Sequence, residues 1–141
     1  MLLAGVALPM PPSQNQYWRS RVVKVKATGR DMAIIYTTHE AKAYRQRIAE
    51  LLLEKGAWYR SANPLRVRLL ICPDSDRQMD LDNRCKVALD SLMNGNLFVD
   101  DSQIETLELR RGPTLKPAVL FAWVEEFVPT RQDNLAWIKG P

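Results

Sequence analysis

The 141-residue chain has one histidine, His39, and two cysteines, Cys72 and Cys85. A lone histidine beside a helix start supplies no Ser-His-Asp or Cys-His catalytic set. Two cysteines thirteen positions apart, with that histidine, do not make four zinc ligands. They are also too few for a disulfide scaffold, so reduced thiols in a cytoplasm are expected. No glycine-rich phosphate loop of the Walker type is present. Apolar runs are short: Met1–Leu8 has no basic residues before it and stops at Pro9. That run is too short for a membrane helix or a signal peptide and reads as a first strand. Internal repeats and low-complexity tracts are missing as well.

The composition that remains, 46% hydrophobic and 26% charged, suits one globular domain. The formal net charge is only +4, but it is unevenly spread. Residues 1–60 carry ten Lys/Arg against four acids, and residues 74–108 carry three against nine. The chain is therefore basic with one acidic island. That pattern suits a phosphate-binding surface around a cation site, or equally two differently charged solvated faces.

Coarse periodicity places the motifs. Pro9–Asn15 is a proline-rich loop, and Val22–Ala27 and Ala33–Tyr36 read as a hairpin around Thr28-Gly29-Arg30-Asp31. Thr37 and Glu40 form a capping-box signature for a helix running to about Lys55, with Ala41, Tyr44, Ile48, Leu51 and Leu52 on one stripe. Leu65–Cys72 alternates as a strand. A second helix follows from Asp82 to about Asn94-Gly95, with Cys85, Ala88, Leu89 and Leu92 as its apolar face. Leu97–Val99 reads as a short strand, and Ile104–Arg110 and Ala118–Phe127 as a strand pair around Gly112-Pro113. The tail from Val128 shows no periodicity. Grouped strands and two unequal helices predict an α+β domain, a mixed sheet against two main helices.

The acidic island contains seven aspartates between positions 74 and 101. An EF-hand loop fails in both registers: its glycine and final glutamate positions hold Met79 and Cys85, or Cys85 and Ser91. What remains is Asp80-Leu-Asp82-Asn83-x-x-Lys86, then Asp100-Asp101. In an extended segment Asp80 and Asp82 would face one cation, with a third carboxylate from Asp100 or Asp101. All-oxygen sets of this kind suit Mg²⁺ or Mn²⁺ presented to a phosphodiester. With Asp82 capping the helix, Lys86 lies one turn along the same face, where its ammonium meets a scissile phosphate or attacking water. The plainer reading is Asp82 as a helix cap in a solvated acidic loop.

These residues resemble the RusA family of Holliday-junction resolvases, many of them carried by phages and prophages. The family pattern is Asp-x-Asp-Asn with a lysine four residues after the second Asp, a helix, then Asp-Asp-Ser/Ala-Gln. Here it reads Asp80-Leu81-Asp82-Asn83-Arg84-Cys85-Lys86, Ala88-Leu89-Asp90-Ser91-Leu92 and Val99-Asp100-Asp101-Ser102-Gln103-Ile104. Pro12-Ser13-x-Asn15-x-x-Trp18-Arg19 and Ala43-Tyr44-Arg45 match the phage branch. The resemblance covers roughly residues 3–127. It implies an endonuclease domain over 1–127, with 128–141 a tail of unassigned role.

By this resemblance, Asp80, Asp82 and Asp101 are metal ligands, Asp100 is a fourth carboxylate, and Lys86 is the catalytic lysine. The implied activity is Mg²⁺-dependent (Mn²⁺ as an alternative) paired nicking of four-way DNA junctions by a cytoplasmic homodimer, with no membrane partner. Two-fold protein symmetry would match a junction that needs two symmetric cuts. The N-terminal run reads Gln14-Asn15-Gln16, less basic than in the enterobacterial prophage branch, which bears on junction selectivity. Arg19, Arg21, Lys24, Lys26 and Arg30 are the expected phosphate contacts. Tyr17 and Trp18 are candidates for base stacking, or for the core. A less selective metal nuclease acting on flaps shares every ligand. A non-catalytic junction-binding module is the third alternative.

Overall fold

A computed structural model describes the backbone of residues 1–141 and all side chains except those of Tyr17 and Trp18, so the stacking expectation for those two lies outside the described residues. The chain forms β1 (Leu2–Pro9), α1 (Gln14–Tyr17), β2 (Trp18–Lys24), β3 (Asp31–Thr37), α2 (His39–Glu54), β4 (Leu65–Cys72) and α3 (Asp82–Asn94). A 3-10 turn (Asp101–Gln103), β5 (Ile104–Arg111), β6 (Val119–Glu126) and α4 (Arg131–Lys139) complete it. It is a small α+β domain with a mixed four-stranded sheet, order β1-β6-β4-β5, and a separate β2–β3 ribbon.

The alternation in β4 decides which way the sheet faces. Leu65, Val67, Leu69 and Ile71 are buried, whereas Arg66, Arg68 and Leu70 point outward. Leu120, Ala122 and Val124 of β6, and Val6 and Leu8 of β1, extend that inner face. Ala41, Tyr44, Ile48 and Leu52 of α2, and Cys85, Ala88, Leu89 and Leu92 of α3, bury into the same core. Each fully buried leucine contributes roughly 1.5–3 kcal/mol relative to exposure, which makes this one face the main source of cohesion. Gly95 ends α3 hard against α2: a Cβ there would lie 2.5 Å from Leu52 Cδ1. Both cysteines are buried and unpaired.

Several expected boundaries shift for identifiable reasons. β2 lies earlier than expected, because the Val25 carbonyl accepts from Thr28 N and Gly29 N and closes the turn, with Gly29 at φ +66°. β3 contains the expected strand and extends it at both ends. Thr38, not Thr37, caps α2: its Oγ1 accepts from Ala41 N and donates to Gln16 O at 2.7 Å, so one hydroxyl serves cap and loop. Leu97–Val99 forms only a single bridge, Phe98 to Ser61. The tail forms α4, capped by a reciprocal Thr130–Asp133 box. That Thr-x-x-Asp spacing was legible; without a buried face, apolar periodicity could not reveal it.

The largest correction concerns β5 and β6, which are both strands but do not pair with each other. β5 runs parallel to β4, and β6 runs antiparallel to its other edge. After β5 the chain crosses the end of β4, where Gly112 N donates to Ile71 O and Leu115 N to Pro73 O. Gly112 permits this crossing: a Cβ would sit 2.5 Å from Cys72 Sγ. The most apolar strand thereby gains a partner on both edges. The consequence for function is that α3 lies in the β4-to-β5 crossover, with Asp82 at its start and Asp100-Asp101 on the return.

Candidate active site

α3 begins one residue earlier than an Asp82 cap would require. Leu81 occupies the cap position in right-handed helical conformation and Asp82 is the first helical residue, with no side-chain capping bond. Both the extended Asp80–Asp82 pair and the Asp82 cap are therefore corrected. At about 100° per residue, a helical Leu81 turns Asp80 and Asp82 roughly 200° apart instead of onto one face. Both carboxylates are exposed.

The second acid pair is built differently. Asp100 caps the 3-10 turn: its carboxylate accepts from Ser102 N and the Ser102 hydroxyl. Those bonds, the hydroxyl first, hold the Asp100 carboxyl below the usual range. Gln103 fixes the whole turn with one side chain. Its Oε1 accepts from Val99 N at 3.0 Å and Asp100 N at 2.7 Å, while Nε2 donates to Ser61 O at 2.9 Å and Asn63 O at 2.8 Å. This gives the Gln of the Asp-Asp-Ser-Gln segment a physical role, which sequence spacing alone did not reveal. Gln103→Leu should destabilise the fold by about 2 kcal/mol, since four bonds vanish and their backbone partners must find water. A urea midpoint unchanged from wild type would contradict that role.

Lys86 joins the two halves. Its Nζ donates to Asp101 Oδ2 at 2.6 Å and pairs with Asp90 Oδ1 at 3.0 Å. Hydrogen bonds from Asp101 and then Asp90 raise the lysine well above its ordinary range, outweighing partial burial. It stands at this site as an ammonium, suited to meeting negative charge and unsuited to taking a proton at neutral pH. Asp90 was not singled out from the sequence, although its i,i+4 spacing from Lys86 could have identified it.

Two further residues of the motif tie α3 to the N-terminal segment. Asn83 Oδ1 accepts from Gln14 N at 3.2 Å, and an Arg84 guanidinium NH donates to Pro11 O. Tyr44 of α2 adds its hydroxyl to Pro9 O at 2.7 Å. Burial drives the Tyr44 phenol up and the Arg84 guanidinium down. The segment leading to the ribbon is thus clasped at the start of α3. On the ribbon, Arg19, Arg21, Lys24, Lys26 and Arg30 are all exposed. Strand alternation puts Arg19 and Arg21 on one face and Lys24 on the other, with Lys26 and Arg30 around the turn. Arg21 lies 5.4 Å from the centroid of the Tyr36 ring.

A family model described as endodeoxyribonuclease RusA matches residues 9–120, which spans the proline loop, both helices and both acid pairs. The chain belongs to the RusA endodeoxyribonuclease family. Among curated RusA relatives, the crossover junction endodeoxyribonuclease RusA of Escherichia coli K12 is 29% identical over 112 residues, 79% of this chain and 85% of that protein. The protein named crossover junction endodeoxyribonuclease rusA from Enterobacteria phage HK97 is 29% identical over 105 residues, 74% of this chain and 79% of the relative. That of Enterobacteria phage 82 is 28% identical over 111 residues, 79% and 84% respectively.

The donors of this chain fit Mg²⁺ or Mn²⁺ in kind: Asp80, Asp82 and Asp101 offer only carboxylate oxygens, while Cys85 is turned into the core. In placement they do not form a coordination shell here. Among the described residues no three of the acids, cysteines and histidine converge on one point. Asp101 is committed to Lys86, whose Cα lies about 6 Å along the helix axis from that of Asp82.

Proposed function

We propose that this protein is a divalent-metal-dependent endodeoxyribonuclease that resolves four-way DNA junctions by paired phosphodiester hydrolysis. The observation that carries this reading is the Asp101–Lys86 contact, which brings the two halves of the family motif together across the β4-to-β5 crossover. Asp80, Asp82 and Asp101 would hold Mg²⁺ or Mn²⁺, with Asp100 a further candidate whose capping bonds must first open. The ions supply Lewis-acid stabilisation of the phosphodiester and an activated water. Lys86 contributes a fixed ammonium beside the scissile phosphate, and Gln103 and Asn83 hold the two motif halves in place.

The protein is read as a cytoplasmic homodimer whose endonuclease unit spans residues 1–127; 128–141 is given no part in the reaction, and the helices pack in the family's manner. Uncovered apolar side chains favour self-association: Val22 and Ile35 on one face of the ribbon, Met32 on its other face, and Trp123 on the open sheet face. Among the described residues no helix is long and apolar enough to cross a membrane.

The test is incubation with a four-way junction, a flap, a single strand and linear duplex, in Mg²⁺ and in chelator. Paired symmetric cuts confined to the junction are expected. Equal cutting of flaps would replace junction resolution with a less selective nuclease, and metal-independent binding without cutting would overturn the enzymatic reading.

DNA contact by the ribbon is tested separately. Arg19→Gln with Arg21→Gln should weaken junction binding and lower the slope of log K against log salt by about two, one per lost phosphate contact. An unchanged slope would move the DNA path away from this face.

A further inference from the structure

Asp82, Lys86 and Asp90 occupy positions i, i+4 and i+8 of α3 and so share one stripe, with Asp101 facing them from the 3-10 turn. Lys86 is held from both sides, yet its two partners differ. Asp101 comes from a neighbouring element and is a proposed metal ligand; an ion that recruits its carboxylate competes with the ammonium for the same negative charge. Asp90 belongs to the same helix as Lys86. Its Cα lies about 12 Å along the axis from that of Asp82, two helical turns further on. Its side chain is only 13% exposed, against 36% for Asp101 and 45% for Lys86.

Helix stability alone explains this pair poorly. An acid N-terminal to a lysine at i,i+4 is the favourable order, and here the lysine comes first. An acid in the C-terminal half of a helix also gains nothing from the macrodipole. A lysine stem has four rotatable bonds, and once Asp101 turns away, Asp90 is the remaining partner of its ammonium among the described residues.

We propose that Asp90 is a positioning residue: it retains the Lys86 ammonium at the catalytic stripe when Asp101 is drawn to a divalent ion. This rests on the metal-dependent reading above, in which Lys86 serves the scissile phosphate. Asp90 itself touches neither substrate nor metal. Two states of Lys86 follow. Without metal it bridges Asp90 and Asp101, offsetting one of their two charges; with metal it hangs from Asp90 alone, close to where Asp101 released it.

The test compares Asp90→Asn, Asp90→Glu and Lys86→Ala on a four-way junction, with kcat and KM measured separately. Lysine ¹⁵Nζ–H spectra of wild type and Asp90→Asn are recorded with and without Mg²⁺. Asp90→Asn should lower kcat about tenfold or more with KM for the junction within twofold, because it misplaces a group needed only at the chemical step. Asp90→Glu should recover most of that loss. The Lys86 Nζ signal, assigned by its disappearance in Lys86→Ala, should stay hydrogen-bonded in wild type on adding Mg²⁺. In Asp90→Asn it should collapse to that of a free lysine. Wild-type kcat in Asp90→Asn, or a Lys86 signal indifferent to Asp90, would overturn the proposal. So would a loss not recovered by Asp90→Glu and matched by a lowered unfolding midpoint. If Lys86→Ala itself cuts normally, the reading of Lys86 fails; if Lys86→Ala is inactive while Asp90→Asn is not, only the role of Asp90 fails.

Discussion

Asp82→Asn should abolish junction cutting, by about a thousandfold or more, while leaving the fold and DNA binding intact. Removing one carboxylate from a set that neutralises divalent ions forfeits several kcal/mol of transition-state stabilisation, and each 1.36 kcal/mol is tenfold in rate. Stability should hardly respond. Asp82 is exposed at the first position of α3, caps nothing, and has no side-chain bond or ion pair among the described residues. Its interaction with the helix N-terminus is worth about 0.3–1 kcal/mol, which is no more than about 4 °C in Tm for a chain of this size. Binding of the junction in chelator should hold or tighten, because a charge facing phosphate has gone. Cutting assays, thermal melts and gel-shift titrations of the one variant separate these outcomes. Retained cutting, or a collapsed fold, would return Asp82 to a structural role.

Lys86→Met should lower kcat by roughly a hundredfold to a thousandfold, the range expected for losing one preorganised charged donor at a phosphoryl centre. Divalent-ion affinity should move the opposite way. With the ammonium gone, Asp101 Oδ2 loses its 2.6 Å partner and becomes free to bind a cation. Stability should change by about 1 kcal/mol at most, since the Lys86 side chain is 45% exposed and solvent screens both pairs. Isothermal titration with Mn²⁺ beside single-turnover kinetics distinguishes this from a structural lysine, whose removal would weaken metal binding and activity together.

The parts of the fold governed by strong local periodicity were legible in the sequence. The apolar stripe of α2 and the alternation in β4 come out as read, because each buries one continuous face. What escaped depends on long-range partners. β5 and β6 look like a hairpin across Gly112-Pro113, yet both are claimed by β4, and only its need for a neighbour on each edge decides that. α4 escaped because it buries no residue and so leaves no stripe to find.

For the site the division is similar. The spacing nominated Asp80, Asp82, Lys86 and one of Asp100 and Asp101, the family resemblance singled out Asp101, and the Lys86–Asp101 contact joins two of those four. Their mutual geometry was not legible. An extended Asp80–Asp82 pair would put both carboxylates on one face, but a helical Leu81 at φ −62°, ψ −40° separates them. The supporting side chains Asp90, Gln103, Asn83 and Arg84 stand in the motif, but the roles of Gln103, Asn83 and Arg84 became visible only through the groups they hold. Three of them bind backbone atoms far away in sequence, which no local pattern encodes.

The acidic island makes sense beside DNA only if cations neutralise it. The most direct test is a titration of Mn²⁺ into wild type and Asp82→Asn, following free Mn²⁺ by electron paramagnetic resonance without DNA. Saturable binding by wild type that is lost or weakened at least tenfold in Asp82→Asn is the predicted result. No binding above that of a generic acidic surface, or equal binding by the two proteins, would contradict it.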